Sequence, residues 1–148
     1  MALEIERKFL VKGIFKHLAV NKIRIRQSYF STDPKRIIRI RITDTQGIIT
    51  FKSNINGESF SRNEWEFEIP LKDAEEMIKI CLSGIIDKTR YYIPAGRHMF
   101  EVDVFHGKNE GLVIAEIELS SETEEFEKPE WLGEEVTGKP QYYNSNLI

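Results

Sequence analysis

The chain has 148 residues, of which 41% are hydrophobic and 30% are charged, and its formal net charge is −3. This length suits a single domain over residues 1–148, and the near balance of charge excludes a protein that holds nucleic acid by bulk electrostatics. The single cysteine cannot form an internal disulfide, and no stretch approaches the roughly 18 apolar residues of a membrane helix. We therefore expect a cytoplasmic protein without a membrane or nucleic-acid partner, in which any basic site is local.

Strands with alternating side chains dominate the sequence pattern. The first predicted strand, residues 2–11, places Glu4, Glu6 and Lys8 on one face, because successive side chains of a strand point to opposite sides. Most later strands repeat this alternation, with charged side chains on one face and apolar side chains on the other. The predicted strands are residues 2–11, 22–30, 36–43, 48–54, 59–69, 85–93, 97–105 and 111–120.

Helical signals are confined to a few connecting segments. Residues 71–82 place apolar side chains at helical spacing, so we predict the clearest helix there, packed outside the sheet. Residues 14–18 predict a short helical turn, and the acidic segment that begins at Ser121 predicts another helix. A turn at Asn56-Gly57 is predicted to separate the fourth and fifth strands.

A sheet with one charged and one apolar face is either open, with its charges in water, or closed into a barrel. The charged face holds both signs, and the other face is too apolar to lie uncovered, which favours a closed barrel with the charges inside. We expect a mainly β (α+β) fold, namely a closed eight-stranded antiparallel β-barrel with a few flanking helices. The predicted helices cover only part of the apolar face, so the sequence leaves open a homodimer that buries the remainder.

The types of charge indicate what such a lumen would hold. Buried carboxylates repel one another unless they are paired or bind a cation, and clustered oxygen ligands suit Mg²⁺ or Mn²⁺. The lack of a Cys/His cluster argues against zinc. Arginine and lysine on neighbouring strands suit phosphate, because the planar fork of arginine matches two oxygens. The predicted guest is a polyanion with a divalent metal, and a web of salt bridges without a ligand is the alternative.

The residues also resemble a known family. Glu4-Ile5-Glu6-Arg7-Lys8 fits the ExExK motif that opens the CYTH superfamily, the triphosphate tunnel metalloenzymes. Further matching segments follow in the family's order over nearly the whole chain, and the likeness is greatest to small bacterial members, several of which are inorganic triphosphatases. The segments are residues 38–41, 52, 64–69, 88–91, 100–105, 116–118 and 131–137.

The resemblance implies a role for each charged position of the tunnel. Carried over by position, the implied metal ligands are Glu4, Glu6, Glu116 and Glu118. The implied phosphate contacts are Lys8, Arg39, Arg41, Lys52, Lys88 and Arg90, and the implied supporting residues are Glu64, Glu66, Glu101 and Asp103. Residues implied to act in catalysis are Glu4, Glu6, Lys8, Lys52, Lys88, Glu116 and Glu118, with Glu116 or Glu118 orienting or deprotonating the attacking water.

The implied reaction is metal-assisted attack of water on a terminal phosphoryl group of tripolyphosphate, which gives pyrophosphate and phosphate with Mg²⁺ or Mn²⁺ as cofactor. The alternatives are another enzyme of the superfamily that acts on nucleoside or thiamine triphosphate, including adenylate cyclase, and a non-catalytic polyphosphate- or nucleotide-binding protein. Gln141 departs from the related small members, which often carry arginine there, and would shift substrate preference if its segment closes one mouth of the tunnel. Tyr29 either faces the lumen or packs in the core.

Overall fold

A computed structural model describes residues 1–54 and 61–148 of the chain. The predicted turn at Asn56-Gly57 and the first two residues of the predicted fifth strand lie outside the described residues. The strands are β1 (Ala2–Val11), β2 (Asn21–Ser31), β3 (Ile37–Ile42), β4 (Gly47–Ser53), β5 (Ser61–Ile69), β6 (Ile86–Ala95), β7 (His98–Phe105), β8 (Val113–Glu118) and β9 (Leu132–Glu135). The helix α1 is Leu71–Ile78, and 3₁₀ turns lie at Lys16–Leu18, Gly107–Asn109, Pro140–Tyr142 and Asn144–Asn146.

Eight of the strands close into a ring. Their order is β1-β5-β4-β3-β2-β6-β7-β8, and β8 returns to β1, with every neighbouring pair antiparallel. The first strand closes the ring because residues 2–5 pair with β5 and residues 6–10 pair with β8. The predicted closed eight-stranded antiparallel fold is therefore confirmed, and the short β9, which the sequence pattern did not predict, pairs with the end of β1.

The cross-strand register turns the charged face inward. Residues directly opposite each other in antiparallel strands share a face of the sheet. Lys8 lies opposite Glu116 in β8, and Lys52 lies opposite Glu64 in β5. All four side chains line the interior of the ring, so the predicted inward direction of the charges is confirmed.

The second strand differs from the others in what it sends inside. Ile25, Gln27 and Tyr29 occupy its inner face and are almost completely buried. Arg24 and Arg26 point outward, where they bind carboxylates of β6 and α1. This strand therefore adds the uncharged polar groups of Gln27 and Tyr29 to an interior that also holds many charged side chains.

The apolar outer face is covered only in part. Helix α1 packs Ala74 and Ile78 against β3, and it lies so close to β4 that a Cβ at Gly47 would be 2.5 Å from the Cβ of Ala74. On β5, Trp65 and Phe67 stay 36% and 56% exposed. This incomplete cover agrees with the sequence pattern, and a homodimer stays a prediction.

The main helix is shorter than its predicted extent, residues 71–82. It ends at Ile78, since the chain then turns back towards the end of β2. The backbone N–H of Leu82 donates to the carbonyl of Tyr29 at 2.8 Å, and the hydroxyl of Ser28 donates to the carbonyls of Leu82 and Gly84 at 3.2 and 2.7 Å. These contacts replace the bonds that another helical turn would make.

The predicted helix after Ser121 is wrong, because residues 121–131 form turns and irregular backbone. The carboxylate of Glu124 accepts a hydrogen bond from the backbone N–H of Ser120 at 2.6 Å and also contacts His98. Phe126 packs edge to face against Phe100. Tertiary contacts thus hold this segment against the outer wall of the ring. The predicted helical turn near residues 14–18 is confirmed by the 3₁₀ turn there.

The C-terminal segment, residues 136–148, closes part of one end of the ring. The backbone N–H of Val136 donates to the carbonyl of Lys8 at 2.8 Å, and the side chain of Asn109 donates to the carbonyl of Leu147 at 2.8 Å. The apolar residues of this segment pack on inward-facing residues at the strand ends; they are Tyr142, Leu147 and Ile148 against Ile86, Phe105 and Ile114. Within the described part of the chain, no helix combines the length and apolar character needed to cross a membrane.

Candidate active site

The ring encloses a cavity of about 450 Å³. Every predicted site residue lines it except Asp103, which lies behind the cavity wall. The structure thereby brings together side chains from seven different strands. Lining residues to which the sequence pattern assigned no role include Arg62, Thr137, Tyr143, Asn144 and Asn146.

One group of charges centres on Glu4. Its two carboxylate oxygens accept hydrogen bonds from Lys52 Nζ at 3.1 and 3.0 Å, and one of them also accepts from Arg62 Nη2 at 3.1 Å. Glu64 lies 3.5 Å from Lys52. Burial would raise the pKa of Glu4, but the charges of Lys52 and Arg62 outweigh it and lower the pKa to about 2. Glu4 therefore stays ionised and paired.

A second group of carboxyl groups is not neutralised in this way. Burial and then the charge of Glu116 raise the pKa of Glu6 well above its usual range. Burial also acts on Glu116, but the ammonium of Lys8 and a hydrogen bond from Glu6 hold its pKa well below the usual range. Burial and the charge of Glu4 raise the pKa of Glu118, which lies opposite Glu6 in the register. Glu6 thus favours its protonated form beside the ionised Glu116, and a cation bound between them would replace that proton.

This donor set fits a divalent cation of the Mg²⁺ type. All donors are carboxylate oxygens, which Mg²⁺ and Mn²⁺ prefer, and a bound cation would offset the burial and the charge of Glu116 that raise the pKa of Glu6. Across residues 1–54 and 61–148, no three acidic, histidine or cysteine side chains already converge as a metal site. Metal binding by Glu4, Glu6, Glu116 and Glu118 thus stays a prediction.

Asp103 lies behind the basic wall of the cavity, which comprises Arg39, Arg41, Lys88 and Arg90, and binds two of these side chains. It is fully buried, accepts hydrogen bonds from Arg90 Nε and Nη2 at 2.8 and 3.0 Å, and lies 2.7 Å from Lys88 Nζ. Glu101 binds the remaining side of the Arg90 guanidinium at 2.8 Å. Burial would raise the pKa of Asp103, but the charges of Arg90 and Lys88 lower it. These two carboxylates fix the direction in which the arginine faces the cavity.

The basic wall carries more positive charge than the carboxylates of Asp103 and Glu101 neutralise. Burial lowers the pKa of Lys88 to about 7 against the attraction of Asp103, and the neighbouring charges of Arg90 and Arg41 add to the lowering. Burial and then the charges of Arg39 and Arg90 lower the pKa of Arg41 to about 9. Like charges held together away from water favour a bound anion, which would offset their repulsion.

The guanidinium of Arg39 has one buried N–H group for which the described residues provide no acceptor. Its Nη2 donates to Thr50 Oγ1 at 3.1 Å and lies 3.7 Å from Glu66. Its Nε is buried and finds no hydrogen-bond partner among the residues that the structure describes. A buried donor without a partner is unfavourable, so this guanidinium is arranged for an acceptor such as a phosphate oxygen.

The sequence of the chain also matches a known domain, since the CYTH domain model matches residues 2–146. The chain belongs to the CYTH family. A curated relative from Acetivibrio thermocellus, named inorganic triphosphatase, is 45% identical over 150 residues, which cover 100% of this chain and 94% of the relative. A second inorganic triphosphatase, from Nitrosomonas europaea, is 36% identical over 149 residues and covers 97% of this chain and 95% of the relative.

Solved structures agree with this membership of the CYTH family. A crystal structure of an inorganic triphosphatase superposes with a TM-score of 0.69 at 33% identity, over 97% of this chain and 95% of that chain. The family resemblance deduced from the ordered motifs is therefore confirmed.

Three uncharged polar residues of the site were not predicted as site residues. Gln27 and Asn144 were assigned no role, and Tyr29 was left undecided between the cavity and the core. Tyr29 lines the cavity, and its hydroxyl accepts a hydrogen bond from Gln27 Nε2 at 3.2 Å. Asn144 accepts a hydrogen bond from Lys88 Nζ at 2.8 Å. The alternation of β2 places Gln27 and Tyr29 on one face, which was the signal available. Gln141, by contrast, is exposed outside the cavity lining, although its segment does close part of one mouth as expected.

Proposed function

We propose that this CYTH protein is a metal-dependent inorganic triphosphatase that hydrolyses tripolyphosphate to pyrophosphate and phosphate inside its charged tunnel. The observation that carries the proposal is a single cavity in which both cations and carboxyl groups exceed what their partners neutralise. The names and full-length similarity of the two inorganic triphosphatases support the same reaction. A polyanion together with a divalent cation would balance both excesses at once.

The basic residues of the cavity would bind the three phosphoryl groups. Arg39 has a buried N–H without a partner in residues 1–54 and 61–148, while Lys8 and Arg41 bond to the neutral oxygens of Tyr142 and Gln27 at 3.0 and 2.9 Å. Lys8 and Arg41 each have further N–H groups beyond these bonds, and a phosphate oxygen could accept from them in a charge-assisted hydrogen bond. The proposed phosphate contacts are Lys8, Arg39, Arg41, Lys52, Lys88 and Arg90.

The proposed cation ligands are Glu4, Glu6, Glu116 and Glu118. A bound Mg²⁺ or Mn²⁺ would supply Lewis-acid stabilisation of the charge that develops on the phosphoryl oxygens. The chain's own contribution is to hold the carboxylates apart from bulk water and to keep Glu4 ionised between two cations.

The reaction itself needs little covalent chemistry from the protein. The oxygen of a water molecule forms a bond to the terminal phosphorus, the bond from that phosphorus to the bridging oxygen breaks, and pyrophosphate leaves with the electron pair. The cationic wall neutralises charge and positions the chain of phosphates. Glu118, whose pKa is raised, lines the cavity where it could accept a proton from the water.

A substrate panel tests this proposal against its alternatives. Tripolyphosphate, ATP and thiamine triphosphate are incubated with Mg²⁺ or Mn²⁺, and products are separated by chromatography. We expect tripolyphosphate to be the preferred substrate; preference for an organic triphosphate, or release of cyclic nucleotide, would favour another reaction of the family. Binding of tripolyphosphate without any phosphate release would favour a non-catalytic protein. A homodimer and a cytoplasmic location stay predictions, and light scattering tests the first.

A matched pair of variants tests the carboxylate wall. Glu6→Gln keeps the size of the side chain and removes the carboxylate that a cation would bind, and Glu110→Gln makes the same substitution at an exposed position outside the cavity. We expect Glu6→Gln to lower phosphate release by about 100-fold or more, since it removes a proposed cation ligand. Glu110→Gln should keep wild-type activity. Undiminished activity of a folded Glu6→Gln protein would contradict the assignment.

A further inference from the structure

The C-terminal segment places one polar side chain inside the tunnel. Asn144 Oδ1 accepts hydrogen bonds from Lys88 Nζ at 2.8 Å and from Gln27 Nε2 at 3.2 Å. Gln27 Oε1 in turn accepts from Arg41 Nε at 2.9 Å. Lys88 and Gln27 are fully buried. Asn144 is thus joined, directly and through one amide, to two cations of the proposed phosphate site.

The cations determine the direction of every bond in this network. An ammonium or guanidinium can only donate, so the amide oxygen of Gln27 must face Arg41 and that of Asn144 must face Lys88. The amide nitrogen of Gln27 then has to donate, and it also finds its acceptor in Asn144. A side chain without an acceptor at position 144 would take one acceptor from each of these two nitrogens and leave Lys88 only Asp103 and Gln27 only the Tyr29 hydroxyl.

The segment itself holds Asn144 in place. The carbonyl of Tyr142 accepts a hydrogen bond from Lys8 Nζ at 3.0 Å, and the backbone N–H of Leu147 donates to the carbonyl of Asn144 at 2.9 Å. Leu147 and Ile148 pack on inward-facing apolar residues at this end of the ring. The position of the amide therefore follows from backbone contacts and apolar packing, independently of the Lys88 bond.

We propose that Asn144 is a positioning residue for the triphosphatase reaction. Asp103 and Asn144 take two of the three N–H groups of the Lys88 ammonium, and the third is left for a phosphate oxygen. Through Gln27, the same amide fixes the guanidinium of Arg41. A neutral acceptor suits this place, because a carboxylate would repel the phosphates. The inference rests on the proposed function.

The test compares Asn144→Ala with Gln141→Ala, a change of the same kind in the same segment but at an exposed position. We expect Asn144→Ala to lower kcat/KM for tripolyphosphate by about tenfold or more, as for loss of a hydrogen bond to a charged group. Its melting temperature should stay within a few degrees of the Gln141→Ala protein. An activity equal to that of Gln141→Ala would overturn the inference.

A double-variant cycle separates positioning of Lys88 from a merely structural role. In a Lys88→Met background, Asn144→Ala should cause a smaller loss than in the wild-type protein, because Lys88, one of the two cations that it positions, is gone. An equal loss in both backgrounds would overturn the inference. If Lys88→Met fails to fold, metal-free calorimetry with tripolyphosphate decides instead: weaker binding by Asn144→Ala than by Gln141→Ala supports positioning, and equal binding overturns it.

The wild-type protein distinguishes failure of this inference from failure of the proposed function. If it binds tripolyphosphate but releases no phosphate, the proposed hydrolysis is wrong, and the binding comparison still decides the role of Asn144. If it neither binds nor hydrolyses tripolyphosphate, both are overturned.

Discussion

Asp103→Asn is the sharpest perturbation of the basic wall. The change keeps the size of a fully buried side chain and removes the negative charge that faces Arg90 and Lys88. Three charge-assisted contacts at 2.7–3.0 Å become at best neutral ones, and the amide cannot accept at both of its ends. Lys88 then loses its carboxylate partner, and Arg90 keeps only Glu101.

The expected cost follows from the burial of this cluster. Removing one partner of a buried ion pair destabilises a protein by about 3–5 kcal/mol, because the remaining charge is left uncompensated. For a domain of this size that corresponds to a fall in melting temperature of roughly 6–20 °C. The folded-state pKa of Asp103 is lowered, so its contribution is fully present above the unfolded-state value of about 3.9 and is lost as the pH falls through the folded-state pKa.

Urea unfolding followed by tryptophan fluorescence measures this cost at neutral pH. The matched control is Asp33→Asn, since Asp33 pairs with Arg36 at 2.9 Å on the surface and is 43% exposed. We expect the control to cost less than about 1 kcal/mol. The difference between the two variants should shrink as the pH falls below the unfolded-state pKa of Asp103 towards its lowered folded-state pKa. If Asp103→Asn costs no more than the control at neutral pH, the buried carboxylate does not stabilise the basic wall as argued.

Two further predictions concern single side chains. Arg39→Gln should weaken metal-free binding of tripolyphosphate about tenfold or more, measured by calorimetry, because it removes the buried N–H that has no partner within the described chain; unchanged affinity would place the phosphates elsewhere. Cys81→Ala should leave phosphate release unchanged, because burial raises the pKa of the Cys81 thiol and the residue lies outside the cavity lining. Loss of activity in a folded Cys81→Ala protein would show that the site extends beyond the tunnel.

The strand alternation was enough to predict the inner wall. A shift of one residue would move every side chain of a strand to the opposite face. In β1 and in β4, the alternating charged side chains therefore lie together, either all inside the ring or all outside it. Glu4, Lys8 and Lys52 were therefore placed correctly relative to one another before the ring was seen. The excess of apolar residues on the opposite parity then indicated which face lay inside.

The uncharged part of the site could not be predicted in the same way. Gln27 and Asn144 are 117 positions apart, and nothing in either local sequence marks their contact. Their roles arise only when the C-terminal segment crosses the end of the ring. Helix α1 was predicted too long, and a helix was wrongly predicted after Ser121, for a related reason. In both places tertiary contacts outweighed the local helical preference.

Phosphorus NMR of tripolyphosphate incubated with the wild-type protein and Mg²⁺ tests the central claim most directly. The tunnel described here predicts that pyrophosphate and phosphate appear in equal amounts as tripolyphosphate disappears, and that a chelator stops the reaction. A tripolyphosphate spectrum that stays unchanged with Mg²⁺ and with Mn²⁺ would contradict the claim that this charged cavity is a triphosphatase site.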